Sequence, residues 1–128
     1  MNYILNFTFI GCAYQVEVMS ELQSSDYLDP DNEPYKLRKK SYGTYTIQAG
    51  TFDGRDWYLS SNGRYAIWYW KGLWRVGTEG NKGSTKCFFY TESDDKCPYE
   101  PMYDWKYWVS SINEWVDADW DMSIYVKI

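Results

Sequence analysis

The sequence predicts an all-β fold, either an antiparallel sandwich or an open barrel built from consecutive β-hairpins. Aromatic residues make up 21% of the 128 positions, with 8 Trp and 14 Tyr, and aromatic side chains pack well on pleated sheets. No stretch shows convincing helical periodicity, whereas several short runs alternate between apolar and polar residues. Three glycine-containing turn signals divide residues 44–77 into four strands. The turns are Asp53-Gly54, Asn62-Gly63 and Lys71-Gly72. We therefore expect one domain of about 8–10 short strands.

The N-terminal 34 residues are predicted to form an arm and a linker that precede a hairpin body at 35–128. Residues 1–18 are apolar and rich in β-forming residues, and 14–18 alternate as a half-buried strand does. Residues 2–12 could be the apolar part of a signal peptide or one or two strands. The absence of Lys and Arg from the first 35 residues favours strands. Residues 19–34 are polar and contain two prolines, which is typical of a linker.

An apolar strand at a chain terminus must be buried, because an exposed one would template aggregation. The arm at 1–18 therefore adds a strand either to its own sheet or to the sheet of a neighbouring copy. The second alternative predicts a homo-oligomer that assembles through residues 1–18.

Counting outward from the three turns fixes the hairpin register and divides the side chains between two faces. The register pairs Trp70 with Leu73, Tyr69 with Trp74, Ile67 with Val76, and Tyr58 with Ile67. One face carries Tyr45, Ile47, Ala49, Tyr58, Tyr65, Ile67, Tyr69, Trp74 and Val76. The other carries Gln48, Trp57, Leu59, Ala66, Trp68, Trp70, Leu73 and Arg75. Both faces are rich in aromatic residues. One of them must line the core, and the role of the other face bears on the function of the protein.

The rest of the chain alternates between loops and short strands. The segments are a glycine-rich loop at 78–85, a strand at 86–91, an acidic loop at 92–101, aromatic strands or turns at 103–108 and 113–116, and a final strand at 123–128.

Turn and packing residues recur in a recognisable order between positions 35 and 128. They are Gly43-Thr44-Tyr45, Gly54, 65–70, Trp74-Arg75-Val76-Gly77, Cys97-Pro98, Trp105, Trp115 and Ile124-Tyr125-Val126. This order resembles an aromatic-rich β module, containing Cys-Pro and Trp, that is repeated in large extracellular proteins of marine invertebrates and protists. The resemblance implies that Trp74 and Val76 are buried. It also implies an extracellular or surface-associated protein, with the cytoplasm as the alternative.

Composition and charge argue against several classes of function. A net charge of −5 disfavours nucleic acid, whose phosphates attract basic surfaces. No run of 18 apolar residues is present, so we expect no membrane-spanning helix. The chain contains no His, which excludes a His-activated nucleophile within it and removes the commonest protein ligand for metals.

The three cysteines are Cys12, Cys87 and Cys97. Cys87 and Cys97 bracket a short loop and are predicted to form a disulfide, which leaves Cys12 without a partner. The alternative is free thiols in a reducing compartment.

Two groups of carboxylates are candidates for chemistry. Asp117, Asp119 and Asp121 occupy alternate positions and could hold a calcium ion, or they could form a solvated acidic turn. No other cofactor is expected. The acidic loop could supply a pair of carboxylates for a small hydrolase. Its acidic residues are Glu92, Asp94, Asp95 and Glu100.

The strongest candidate binding site is formed by Trp57, Trp68, Trp70 and Arg75 on one sheet face. Flat aromatic rings stack on sugars or on a partner's aromatics, and an Arg can lie over a Trp ring. The alternative is that the N-terminal strands cover this face. We therefore expect a non-catalytic module that recognises a carbohydrate or protein ligand. The second hypothesis is a structural subunit that assembles into an oligomer, fibre or coat, and the third is the hydrolase.

Overall fold

Nine antiparallel strands form one curled sheet, a half-barrel, in the computed structural model. The model describes residues 11–19, 40–101, 105–109, 113–117 and 122–128. The strands are β1 (Gln15–Met19), β2 (Gly43–Phe52), β3 (Arg55–Ser60), β4 (Tyr65–Trp70), β5 (Leu73–Thr78), β6 (Phe89–Glu92), β7 (Lys106–Val109), β8 (Glu114–Asp117) and β9 (Ser123–Val126). The all-β prediction is confirmed, in its open-barrel form.

The order of the strands across the sheet is β8-β7-β6-β5-β4-β3-β2-β1-β9. From β2 to β8 the chain is a simple meander, and β9 then returns to pair with β1. A flat sheet of nine strands would be about 38 Å wide at ~4.8 Å per strand. Asp117 ends β8 and Ser123 begins β9. Six residue steps span at most ~21 Å, so the sheet has to curl until its two edges approach each other.

The predicted hairpin register is confirmed at Trp70–Leu73, Tyr69–Trp74, Ile67–Val76 and Tyr58–Ile67. Asp53 and Gly54 have φ of 46° and 77°, and Lys71 and Gly72 have φ of 51° and 82°. Both turns are therefore the two-residue type that matches the twist of the strands. The Asp53 carboxylate accepts a hydrogen bond from the Lys71 N–H at 2.8 Å, which links the two turns.

The middle turn is wider than predicted, although the register is unchanged. In the Asn62-Gly63 pair only Gly63 has a positive φ, of 75°. The turn spans residues 61–64, and the Ser60 hydroxyl accepts a hydrogen bond from the Tyr65 N–H at 3.0 Å. The Asn62 side chain accepts another from the Arg64 N–H at 2.9 Å. Side chains thus replace backbone partners at this end of the sheet.

The concave face of the sheet holds the core, and it is the face that carries Trp74 and Val76. The buried cluster contains Val16, Val18, Tyr45, Tyr58, Ile67, Tyr69, Trp74, Val76, Phe89, Trp105, Met122 and Ile124. The predicted membership of this face is wrong at Ala49, which is exposed. The β2–β3 register shifts between Ile47 and Thr51, and Gly50 has a φ of 86°, so a bulge lifts this part of β2 away from the core.

The strand predicted at 14–18 is present and lies inside the chain's own sheet. β1 pairs with β2 on one side and with β9 on the other. Val16 and Val18 are completely buried. This stretch is therefore not available to a neighbour's sheet, which corrects that part of the predicted assembly through residues 1–18. Residues 1–10 and 20–39 lie outside the described residues.

The predicted Cys87–Cys97 disulfide is wrong, because the bridge joins Cys12 to Cys97 and leaves Cys87 free. β6 separates the two predicted partners by about 13 Å of extended chain. Cys87 lies beside Gly77 at one end of β5, whereas Ser93, after β6, bonds to Gly72 at the other end. A disulfide needs Cα atoms within ~7 Å of each other, and Cys12 and Cys97 satisfy this at 5.6 Å.

Removing the Cys12–Cys97 bridge should lower the free energy of unfolding by about 4–5 kcal/mol. The bridge closes a loop across a sequence separation of 85, and chain-entropy arguments give that magnitude for long loops. Urea melts of the Cys12→Ser/Cys97→Ser double variant would measure the loss. Cys87→Ser, which breaks no bridge, serves as the control. Equal losses in the two proteins would contradict the bridge.

Two buried tyrosines make the fold sensitive to alkali. The Tyr45 hydroxyl donates to the Ser41 carbonyl, and the Tyr58 hydroxyl donates to the Ala13 carbonyl. Burial raises the pKa of both phenols above the ordinary value of 10.0, with smaller contributions from Tyr65 and from Tyr99 and Asp56 respectively. The folded state therefore favours the protonated phenols.

Stability should therefore be constant with respect to these groups below about pH 10 and should fall as the pH rises further. Each buried tyrosine contributes about 1.4 kcal/mol per pH unit, because the unfolded chain releases a proton that the folded chain retains. Urea melts between pH 8 and 12 would measure the slope. Tyr45→Phe and Tyr58→Phe should each reduce it, and an unchanged slope in both variants would refute the assignment.

Candidate functional site

The four residues of the predicted aromatic site share the convex face of the sheet, but they do not form an exposed surface. Trp68 is completely buried and Arg75 is 5% exposed, while Trp57 and Trp70 are half-buried. The Trp68 indole N–H donates to the Ser84 carbonyl at 2.9 Å. Two of the four predicted ligand-binding residues, Trp68 and Arg75, are therefore internal packing residues in this structure.

Arg75 is held by backbone carbonyls on both sides. Its Nη1 donates to the Thr85 carbonyl at 3.0 Å, and its Nε and Nη2 donate to the Trp70 carbonyl at 3.3 and 3.2 Å. Hydrogen bonds satisfy a guanidinium in this way when it is buried without a carboxylate. Arg75 thus joins the sheet to the glycine-rich segment instead of facing a ligand.

The cover over this face is the glycine-rich segment at 79–86, which we call the covering loop. It begins with a 3₁₀ turn at Glu79–Asn81. A Cβ on Gly83 would lie 2.7 Å from the Phe52 ring, so only glycine allows this close approach. The Lys82 Nζ lies 5.6 Å from the centre of the Trp57 ring and forms an ion pair with Glu79. Among the described residues this loop is the cover, and β1, from the N-terminal segment expected there as the alternative, lies within the sheet instead.

The free thiol of Cys87 directly follows the covering loop and lies beside Arg75. It is half-buried, with its Sγ 4.0 Å from Arg75 Nη1. Burial raises the pKa of the thiol to about 11, against the opposing effect of the Arg75 charge. A thiol with such a pKa is protonated at neutral pH and is a poor nucleophile.

The acidic loop after β6 is a structural cap over one end of the core. Arg55 donates to the carbonyls of Asp94 and Asp95 at 2.7 and 3.0 Å. Its guanidinium lies 3.8 Å above the centre of the Tyr69 ring. The Trp74 indole N–H donates to the Asp95 carbonyl at 3.0 Å. The core face therefore fixes the backbone of this loop.

Two carboxylates of the predicted hydrolase pair have structural partners. Asp95 accepts a hydrogen bond from the Ser93 hydroxyl at 2.8 Å, and Glu100 accepts one from the Cys97 N–H at 2.7 Å. These contacts stabilise turns at the two ends of the loop.

The proposed calcium ligands are only partly within the described residues. Asp117 forms an ion pair with Lys106 at 2.7 Å, while Asp119 and Asp121 lie outside the described residues. In the part of the chain that the structure describes, no three acidic or cysteine side chains are grouped as metal ligands.

A second set of aromatic residues lies on the convex face, beyond the covering loop. Tyr90, Trp108 and Trp115 form what we call the edge aromatic cluster, on β6, β7 and β8. Trp108 and Trp115 are directly opposite each other in the β7–β8 hairpin, with ring centres 5.3 Å apart. Trp115 also lies 4.7 Å from Tyr90, and both contacts are edge-to-face. Trp115 is 36% exposed.

Charged side chains flank the edge aromatic cluster. Lys106 pairs across strands with Tyr90 and with Asp117, so the alternation of side chains places all three on the convex face. The Lys106–Asp117 ion pair is solvent-accessible, with side chains 37% and 67% exposed. The surface therefore combines aromatic rings with a hydrogen-bond donor and an acceptor, an arrangement suited to a polar ligand that has flat apolar faces.

The edge aromatic cluster is not among the sites predicted from the sequence. Trp108 and Trp115 share one face of the sheet because the β7–β8 pairing sets them opposite each other. The sequence indicates this only once the register of that hairpin is known. The connection between these two strands contains Asn113, with a φ of 56°, but no Asn-Gly or Asp-Gly pair, so the sequence does not mark a two-residue turn from which the register can be counted.

Comparisons with protein-family models, with curated proteins and with solved structures find no match to this chain. None of the helices among the described residues has the length and hydropathy needed to cross a membrane.

Cys87 should react slowly with alkylating reagents in the folded protein. With a pKa of about 11 instead of 9.0, its thiolate population at neutral pH is about 100-fold smaller than that of an ordinary thiol. Iodoacetamide modification followed by mass spectrometry across pH 7–11 would measure the rate, with the protein in guanidinium as the control. A rate that levels off below pH 9 in the folded protein would contradict the raised pKa.

Proposed function

We propose that this protein is a non-catalytic recognition module that binds a carbohydrate through the edge aromatic cluster. The observation that carries the proposal is Trp115, a large aromatic residue 36% exposed at the edge of the sheet. Contacts with Tyr90 and Trp108 hold its ring in place. Because the side chain is already ordered, a ligand that stacks on it incurs little additional loss of rotamer freedom.

The neighbouring ion pair supports a carbohydrate as the ligand class. A sugar ring presents C–H groups on its faces and hydroxyl groups around its rim. Aromatic rings suit the faces, while Lys106 and Asp117 can donate to and accept from the hydroxyls. Both side chains are accessible, so such hydrogen bonds require no large rearrangement of the strands.

A protein ligand is the alternative within the same proposal. Trp and Tyr are also the residues most enriched at the energetic centres of protein interfaces. The non-catalytic assignment is supported by the lack of His in the sequence and by the structural partners of Asp95 and Glu100.

The disulfide supports an extracellular or surface-associated location. Bridges such as Cys12–Cys97 persist in oxidising compartments and are rare in the cytosol.

Trp115→Ala should weaken glycan binding by at least ~30-fold, which corresponds to the ~2 kcal/mol typical of a central aromatic contact. A glycan array would identify the ligand, and calorimetry would give the affinities of the full chain and its variants. Tyr125→Ala is the matched control, since Tyr125 is 39% exposed and lies on β9, at the opposite edge of the sheet. Near-UV circular dichroism would verify that both variants are folded.

Three results would overturn the proposal. The array could show no bound glycan, Trp115→Ala could bind as tightly as the unmodified chain, or Tyr125→Ala could show an equal loss. A fourth result, retention by Trp115→Ala with loss by Trp57→Ala or Trp70→Ala, would move the binding site to the residues beside the covering loop.

A further inference from the structure

The last strand, β9, presents an unpaired edge in the part of the chain that the structure describes. β9 is the terminal strand in the sheet order and pairs there with β1 alone. The Lys127 N–H donates to the Gln15 carbonyl at 3.0 Å, and Val16 is opposite Val126. In an antiparallel ladder, hydrogen-bonded residue pairs alternate with non-hydrogen-bonded pairs. Tyr125 and Lys127 therefore direct their backbone groups toward β1.

The residues between them direct their backbone groups outward. These are Ile124, Val126 and Ile128, whose side chains also share one face of the strand. Ile124 is 5% exposed and belongs to the core, whereas Val126 is 44% exposed and Ile128 is fully exposed. The free edge thus offers hydrogen-bond donors and acceptors together with an apolar row that continues the core face.

Within the described part of the chain, this edge lacks the usual protection against pairing. Sheet proteins commonly guard an edge strand with charged side chains, proline or a bulge. Lys127 is the sole charged residue among 123–128, and its Nζ turns inward to Thr44 Oγ1 at 2.9 Å and Glu17 Oε1 at 3.5 Å. At the opposite edge, β8 carries the exposed Glu114 and Asp117.

The β9 edge is complementary to itself. If a two-fold axis passes beside Val126, antiparallel pairing places Val126 opposite Val126 of the second copy and Ile124 opposite Ile128. All three outward residues then meet outward residues, whereas a shift of one residue would leave each of them without a partner. Lys127 lies opposite Tyr125, so no like charges meet across the axis.

We propose that β9 pairs antiparallel with β9 of a second copy of this chain, with the two-fold axis beside Val126. Such an interface is isologous, because the same strand contributes from both copies. It joins the two sheets into one, and it is independent of ligand binding at the edge aromatic cluster.

The register of the proposed dimer can be tested by charge reversal at Val126. Since Val126 meets itself across the axis, Val126→Lys and Val126→Glu should each give a monomer through like-charge repulsion. An equimolar mixture of the two variants should restore the dimer, because opposite charges then meet. Val126→Thr, which is uncharged and β-branched, is the control and should remain dimeric.

Sedimentation or light scattering of the full chain should give twice the 15.3 kDa chain mass at micromolar concentrations. Circular dichroism would check the folding of each variant. If a charged variant misfolds, amide exchange of the unmodified chain replaces it. The amides of Ile124, Val126 and Ile128 should then gain protection as concentration rises, while the Lys127 amide stays protected throughout.

The proposal fails if the full chain is monomeric across that range. It also fails if both charged variants remain dimeric, since another surface would then hold the copies together. Monomeric variants whose mixture stays monomeric would equally overturn it, because they would show that β9 meets a different occupant or register.

Discussion

The short connection between β8 and β9 is the constraint on which the rest of the structure depends. Six residue steps from Asp117 to Ser123 have to join opposite edges of a nine-stranded sheet, and the sheet can satisfy this only by curling. The curl gives the single sheet an inside and an outside. Among the described residues no second sheet packs against this inside. Large side chains fill it instead, among them Trp74 and Tyr45 from the sheet and Trp105 just before β7.

The convex face is divided between a covered part and an open part. The covering loop closes over Trp68, and the bonds from Arg75 to Thr85 and from Trp68 to Ser84 hold it there. Beyond Arg75, the next residue across the sheet is Tyr90, where the edge aromatic cluster begins. Aromatic residues on the two halves of one face therefore have different roles. Those on β3 and β4 anchor a loop, whereas those on β6–β8 form the edge aromatic cluster, in which Trp115 is 36% exposed.

The fold could be predicted where local chemistry determines the geometry, and not where distant segments meet. Turn residues such as Asp53-Gly54 fix the pairing of adjacent strands, so counting predicted the register and the division of side chains between two faces. The burial of Trp74 and Val76 was implied by the resemblance and not by the count. Pairing of Cys12 with Cys97 depends on β1 entering the sheet beside β2, across a sequence separation of 85, and no local pattern specifies that. The burial of Trp68 likewise depends on a glycine-rich loop whose spacing gave no indication of where it packs. The edge aromatic cluster was not predicted, because no Asn-Gly or Asp-Gly pair between β7 and β8 marks the register that sets Trp108 opposite Trp115.

The Cys12–Cys97 bridge also determines how the molecule would respond to mechanical tension. The bridge encloses β1 to β6 in a covalent ring, and β7, β8 and β9 follow it in the sequence. A force applied between residues 12 and 128 passes through the bridge and cannot extend the ring. The segment that lengthens is 98–128, at up to ~3.6 Å per residue. Under load β9 separates from β1 while the disulfide still holds the ends of the larger part of the sheet together. The protein would thus behave as a short extensible tether attached to a body of fixed contour length.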